Sequence, residues 1–224
     1  STTLSDHGAG FSALVSNVAG SATSDVAVLS IDPGILSTQT VTAVNISTTS
    51  WRYNQSGDQG TAWKERSFVD SSWPTGVALF YAETATYPEP FRTPLTAPSA
   101  GGPLTTYYRT WFVIPSNAVS VTLVASNLID DGAVFWINGS YVGSIRVTTI
   151  PPSFSTLAAN QGTEGVYEIL ELSSASLVAG TNLLAVEVHQ GAQSSTDVVF
   201  GMSLTALVGV RMRDNVAPTI TQVF

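Results

Sequence analysis

From residue 106 to residue 208 the chain is a run of short segments in which apolar and polar side chains alternate, with turn residues between them. "TYYRTWFVI" (106–114) stops at Pro115, and "AVSVTLVASN" (118–127) puts Val119, Val121, Leu123 and Ala125 on one face. "AVFWI" (133–137) and "YVGSIRV" (141–147) flank Asn138-Gly139, and "GVYEILEL" (165–172), "TNLLAVEVHQ" (181–190) and "DVVFGMSLTALV" (197–208) complete the set. A period of two sends successive side chains to opposite faces of a pleated strand. It does not build the single apolar stripe a helix needs. Asn-Gly predicts a type I′ hairpin, because both central residues of that turn take positive φ. Many short strands with closely spaced turns predict an all-β, antiparallel β-sandwich.

Upstream the pattern is looser. "FSALVSN" (11–17) and "DVAVLSI" (25–31) read as strands joined by the turn-rich "VAGSATS", and "DPG" (32–34) breaks the chain. "QTVTAVNIS" (39–47) and "SWRYN" (50–54) are further strands. Residues 55–106, rich in Pro, Gly and aromatics, read either as a decorated loop region or as short strands. "NVAPTITQVF" (215–224) reads as a linker proline followed by a fresh strand.

Composition narrows the function classes. The net charge is −8, Lys64 is the only lysine, and there is no basic cluster. The electrostatic footprint of a nucleic-acid binder is therefore missing. No run of 18 apolar residues occurs, so insertion of a helix into a membrane is not expected. Without cysteine there is neither a disulfide framework nor a thiolate metal site. A Cys-free, Lys-poor, Ser/Thr-rich β chain suggests a secreted or cell-surface bacterial module, and a start in mid-pattern at Ser1 suggests a processed or excised piece. No G-x-S-x-G, H-E-x-x-H or phosphate-binding glycine loop is present. Nothing marks a pair of glycosidase carboxylates among the 16 acids, so the expectation is a non-enzyme.

Two resemblances follow from these motifs. "DHGAGFSALVSNVAGSATSDVAVLSI" (6–31) resembles the last two strands of bacterial immunoglobulin-like domains. "WRYNQSGDQGTAWKERSFVDSSWPTGVALF", "YYRTWFVI", "DDGAVFWINGSYVG" and "LVAGTNLLAVEVHQGAQSSTDVVFGMSL" together resemble a galactose-binding-like jelly roll of large secreted bacterial proteins. The sugar-binding domain of family 2 glycoside hydrolases is similar. The resemblance implies an immunoglobulin-like remnant over 1–32, a jelly roll over 33–212, and a linker with the first strand of a following domain over 213–224. It also implies a polysaccharide or glycan partner, held without catalysis. The alternative is a structural or adhesive module of a tandem array or filament, self-associating head to tail by strand addition at 1–31 and 215–224.

Candidate site residues follow from position. Asp130 and Asp131 precede a strand and a tight turn. As a pair they are a structural-calcium candidate, the one cofactor entertained; as a turn they shape the start of a hairpin, and that role is preferred. Trp51, Trp63, Trp73, Trp111 and Trp136 are expected to be mostly core. In "YAETATYPEPFR" the rings of Tyr81, Tyr87 and Phe91 have no periodic place in a core. They are the expected exposed platform for a sugar, with Arg92 and Glu89 as polar partners. Glu187 and His189 share a strand face and, with Gln190, Ser195 and Asp197, form a second candidate edge, as ligand site or as hydrogen-bonded structure beneath a loop.

Overall fold

The computed structural model describes residues 8–30 and 36–211. "DPG" (32–34), His7 and the strand expected over 215–224 lie outside the described residues. The strands are β1 (Gly10–Phe11), β2 (Leu14–Asn17), β3 (Gly20–Thr23), β4 (Ala27–Val28), β5 (Leu36–Val44), β6 (Ser50–Asn54), β7 (Thr75–Val77) and β8 (Phe80–Ala82), then β9 (Thr93–Pro94), β10 (Thr105–Ile114), β11 (Ala118–Asp130), β12 (Gly132–Ile137), β13 (Ser140–Ile145), β14 (Glu168–Leu172), β15 (Gly180–His189) and β16 (Val198–Arg211). They fall into two compact units, Ser1–Ser37 with Arg211–Phe224, and Thr38–Val210.

In the first unit the described strands form one nested hairpin, β2 against β3 and β1 against β4. The turn is tighter than the sequence suggests. Of "VAGSATS" only Val18 and Ala19 turn, and Gly20–Thr23 pairs back as a strand. The Asn17 side chain makes this turn by accepting the Ala19 N–H at 2.8 Å.

The second unit is an all-β sandwich. One sheet has the order β13-β12-β15-β10-β6-β7 and the other β14-β11-β16-β8-β9, with β5 also on β16. Strands β6, β7 and β10 to β15 pair antiparallel with their neighbours, as β16 does with β8 and β11, whereas β8 runs parallel to β9. Alternation decides which side chains meet between the sheets. Tyr108, Phe112 and Ile114 of β10, Phe135 and Ile137 of β12, and Leu184, Val186 and Val188 of β15 join Leu123, Ala125, Met202, Leu204 and Ala206 of the facing sheet in one core. The Asn138-Gly139 turn has φ of 52° and 87°, as a type I′ hairpin requires.

The opposite faces of β10, β12 and β15 are buried too. Tyr107, Val134, Trp136 and Ala185 pack with Trp63, Phe68, Trp73, Val147 and Phe154 in a second apolar cluster. The aromatic residues of 55–75 thus have no strand period because they belong to a layer laid on the outside of a sheet. Arg109, 1% exposed, holds that layer down. Its Nε donates to Asp70 at 2.7 Å, and its guanidinium also donates to the carbonyls of Trp63, Glu65 and Phe68. Trp51, Trp63, Trp73 and Trp136 are buried as expected, and Trp111 is 44% exposed. At ~25 cal/mol per Å² and roughly 150–250 Å² per ring, each buried tryptophan contributes about 4–6 kcal/mol of apolar burial.

Candidate functional site

Strand register brings distant acids to one end of the sandwich. Ala82, the last residue of β8, is level with Val198, and Asp130, the last of β11, is level with Val199. Glu83, Asp130 and Asp197 therefore emerge side by side. The connection between β13 and β14 adds Glu164. Gly165 beside it, at φ +68°, packs so closely that a Cβ there would sit 3.0 Å from the Thr86 carbonyl oxygen. One carboxylate oxygen from each of Glu83, Glu164 and Asp197 lies within 4.8 Å of the other two.

Asp130 and Tyr87 face the same neighbourhood. Asp130 is 7% exposed, and burial, then the charge of Asp131, then those of Asp197 and Glu164, push its carboxyl up to about 8. Burial and the charges of Asp130, Glu83 and Glu164 push the Tyr87 hydroxyl above its ordinary value. Glu164, out in solvent, is raised chiefly by Glu83. Glu83 Oε2, Tyr87 Oη and Asp130 Oδ2 are all buried without a hydrogen-bond partner, an arrangement that a folded chain rarely leaves uncompensated.

The two adjacent aspartates have different roles. Asp131 Oδ2 accepts the Gly191 N–H at 2.6 Å, a bond across 60 positions of sequence rather than the local turn bond expected. Asp130 Oδ2 is left without a partner, and the charges of Asp197 and Glu164 act on its carboxyl.

The expected aromatic platform needs correction. Tyr87 is buried in the core, and Tyr81 and Phe91 are half-buried, stacked on each other at 4.6 Å. The segment folds back on β8, with the Arg92 and Thr93 N–H groups donating to the Leu79 carbonyl, so the rings pack inward. Arg92 is exposed, and its guanidinium caps the Ala78 and Pro90 carbonyls. Glu89 accepts hydrogen bonds from Ser47 and Tyr167.

His189 is fully buried, and its Nδ1 bonds to the loop lying over it, which corresponds to the second of the two readings of its strand face. Thr105 gives its proton to the Phe154 carbonyl at 2.7 Å, so the His189 Nδ1–H is shared between Thr105 Oγ1 and the Thr156 carbonyl. His189 Nε2 lies 3.4 Å from Glu187 Oε2, and Glu187 Oε1 accepts the Trp136 indole N–H at 3.0 Å. The bonds to the Phe154 and Thr156 carbonyls hold that loop above the outer sheet face. Between that loop and residues 58–64 is a cavity of about 280 Å³, lined by Trp63, Tyr107, Trp136, Phe154, Glu187 and Lys64. The Lys64 ammonium sits 4.4 Å over the Trp136 ring. Phe154 also borders an open depression of about 520 Å³ that includes Gln55 and Gln193.

Sequence reasoning named Tyr87, Asp130 and Asp197 separately, and the structure brings them together. It missed Glu83 and Glu164 as members of the cluster, and it took Trp63 for framework. Only strand register and loop packing join these positions.

The class defined by this fold is an all-β sandwich with loop-borne sites. No protein-family model and no curated protein sequence matches the chain. Among solved structures it is similar to a β-glycosidase from Bacteroides vulgatus (17% identity, TM-score 0.44, 75% of this chain and 20% of that one). It is also similar to a β-glucuronidase of glycoside hydrolase family 2 (15%, 0.47, 74% and 17%) and to a β-glucuronidase from an uncultured Clostridium (11%, 0.42, 81% and 30%). The chain thus spans less than a third of the length of each enzyme, and the likeness carries neither their activities nor their substrates to it.

Proposed function

We propose that the chain is a non-catalytic glycan-binding module of a secreted or surface-displayed protein. The observation that supports this reading is the cavity over the outer sheet face. A sugar ring offers an apolar C–H surface and a rim of hydroxyls. Phe154 supplies a half-exposed ring beside the nearly buried Trp63 and Tyr107, while Asp58 and Lys64 supply an acceptor and a donor. That mixture of mostly apolar walls with a few placed polar groups is the usual make-up of a small-molecule site. The cavity has room for one sugar unit, with the depression beyond Phe154 open to the rest of a chain. Glu187 orients rather than reacts, because Trp136 and His189 flank its two oxygens.

A glycan array followed by calorimetry tests this. The expected result is saturable binding that Phe154→Ala weakens by about tenfold or more, the scale of one aromatic stacking contact, in a variant that loses some packing of the outer apolar cluster but keeps its β-sheet circular dichroism. Silence across the array, or unchanged affinity in Phe154→Ala, would refute the reading.

A further inference from the structure

The acidic cluster at the other loops has a chemistry of its own. Three carboxylates from three separate loops converge within 4.8 Å. None of the ion pairs among the described residues includes Glu83, Glu164, Asp197 or Asp130. The nearby Arg146 is already engaged, by Glu168 and by the carbonyls of Asp131 and Ile129.

Hydrogen bonds instead position the acids and leave oxygens free. Glu83 uses Oε1 to accept the N–H groups of Thr84 and Ala85, which leaves Oε2 buried and unpartnered. Ser195 donates to Asp197 Oδ1 at 2.7 Å, leaving Oδ2. Asp130 and Tyr87, both at least nine-tenths buried, each keep a side-chain oxygen without a hydrogen-bond partner, and the charges of Asp197 and Glu164 act on Asp130 while those of Glu83 and Glu164 act on Tyr87. Buried oxygens without donors, beside acids without counter-charges, are the complement of a hard cation rather than of another protein group.

We propose that Glu83, Glu164 and Asp197 bind one calcium ion, with Asp130 and Tyr87 supplying further oxygens to its surroundings. The donor set is oxygen throughout, which excludes a preference for soft metals. Calcium–oxygen bonds of about 2.3–2.6 Å keep any two ligands of one ion no more than about 5 Å apart, and the three carboxylate oxygens lie within 4.8 Å of one another. An irregular set drawn from separate loops suits calcium, whereas magnesium demands near-octahedral geometry at about 2.0–2.1 Å. The ion fastens the loop carrying Glu164 and the loop ending at Asp197 to the end of β8. Glu164 is on the solvent side, which gives the ion its route in. The site is separate from the aromatic cavity and does not rest on glycan binding.

The test uses the whole chain after chelation and dialysis. Tb³⁺ luminescence excited through tyrosine, and its displacement by Ca²⁺, should report one ion per chain, and Ca²⁺ should raise the melting temperature. Glu164→Gln and Asp197→Asn should each weaken binding by about tenfold or more, since ligand charge sets affinity at such sites, and should abolish the thermal shift. Glu171→Gln, an exposed acid on β14, should bind as wild type does. No saturable binding, wild-type affinity in the Glu164 and Asp197 variants, equal loss in Glu171→Gln, or displacement by Mg²⁺ as readily as by Ca²⁺ would each overturn the assignment.

Discussion

Asp131 Oδ2 accepts the backbone N–H of Gly191 at 2.6 Å, tying the start of β12 to the chain leaving β15. Charge and acceptor can be separated here. Asp131→Asn keeps an oxygen for Gly191 and removes a negative charge beside Asp130. Asp131→Ala removes both and leaves the N–H without its acceptor, at a cost of about 1–3 kcal/mol. The expected order of stability in chelator is Asn at or above wild type, then Ala below it. Urea denaturation measures it, and an alanine variant as stable as the asparagine variant would show that the bond contributes nothing.

Arg109 is expected to be the most sensitive charged residue in the outer layer. Its fork serves Asp70 and three carbonyls at once, a geometry that a lysine ammonium cannot copy. Arg109→Lys or Arg109→Met should cost about 3–5 kcal/mol, as breaking a buried pair does. Trp63 and Trp73 should then become wet, so a red-shifted tryptophan emission at low denaturant is the signature, and unchanged emission would count against this role.

Asn138 does more than turn the chain. Its Nδ2 donates to the Ser176 carbonyl and to Asn182 Oδ1, while its Oδ1 accepts the Leu183 N–H. Asn182 cannot flip to compensate, because its own amide nitrogen is committed to the Val178 and Gly180 carbonyls. Asn138→Asp, though isosteric, should therefore cost about 1–3 kcal/mol by facing acceptors with an acceptor. A denaturation midpoint equal to wild type would contradict this.

Gly201 marks a close approach inside the sandwich. A Cβ there would sit 2.3 Å from Leu79 Cδ2 and 3.1 Å from Ile46 Cδ1. Gly201→Ala should destabilise by about 1–3 kcal/mol through overpacking. Combined with Leu79→Ala, it should cost less than the sum of the two single changes, because the second change removes the clash. Strict additivity in a double-mutant cycle would show that the backbone, and not Leu79, gives way.

Strands β10 to β16 were legible because local sequence carries their signal: alternation, a bounding proline, an Asn-Gly turn. The all-β class followed from them. The aromatic segment 55–106 was not legible, because its rings pack down on a sheet whose outer face is formed by residues far away in sequence. Tyr87 shows the limit. Nothing in "YAETATYPEP" tells whether its ring goes out to solvent or into the core, since that depends on where the chain folds back at Leu79.

The sequence by itself determined which residues alternate, where the chain must turn, and that the charges available are mainly acidic. These are properties of neighbours a few positions apart, and period and turn chemistry encode them directly. Only the tertiary structure decided that Glu83, Glu164 and Asp197 meet, and that Asp131 bonds to Gly191 while Asp130 Oδ2 has no partner. Those meetings depend on the register of β8, β11 and β16 and on the packing of Gly165 against Thr86. Register is settled by the whole shared core at once, because a slip of one residue would turn every buried side chain to the wrong face.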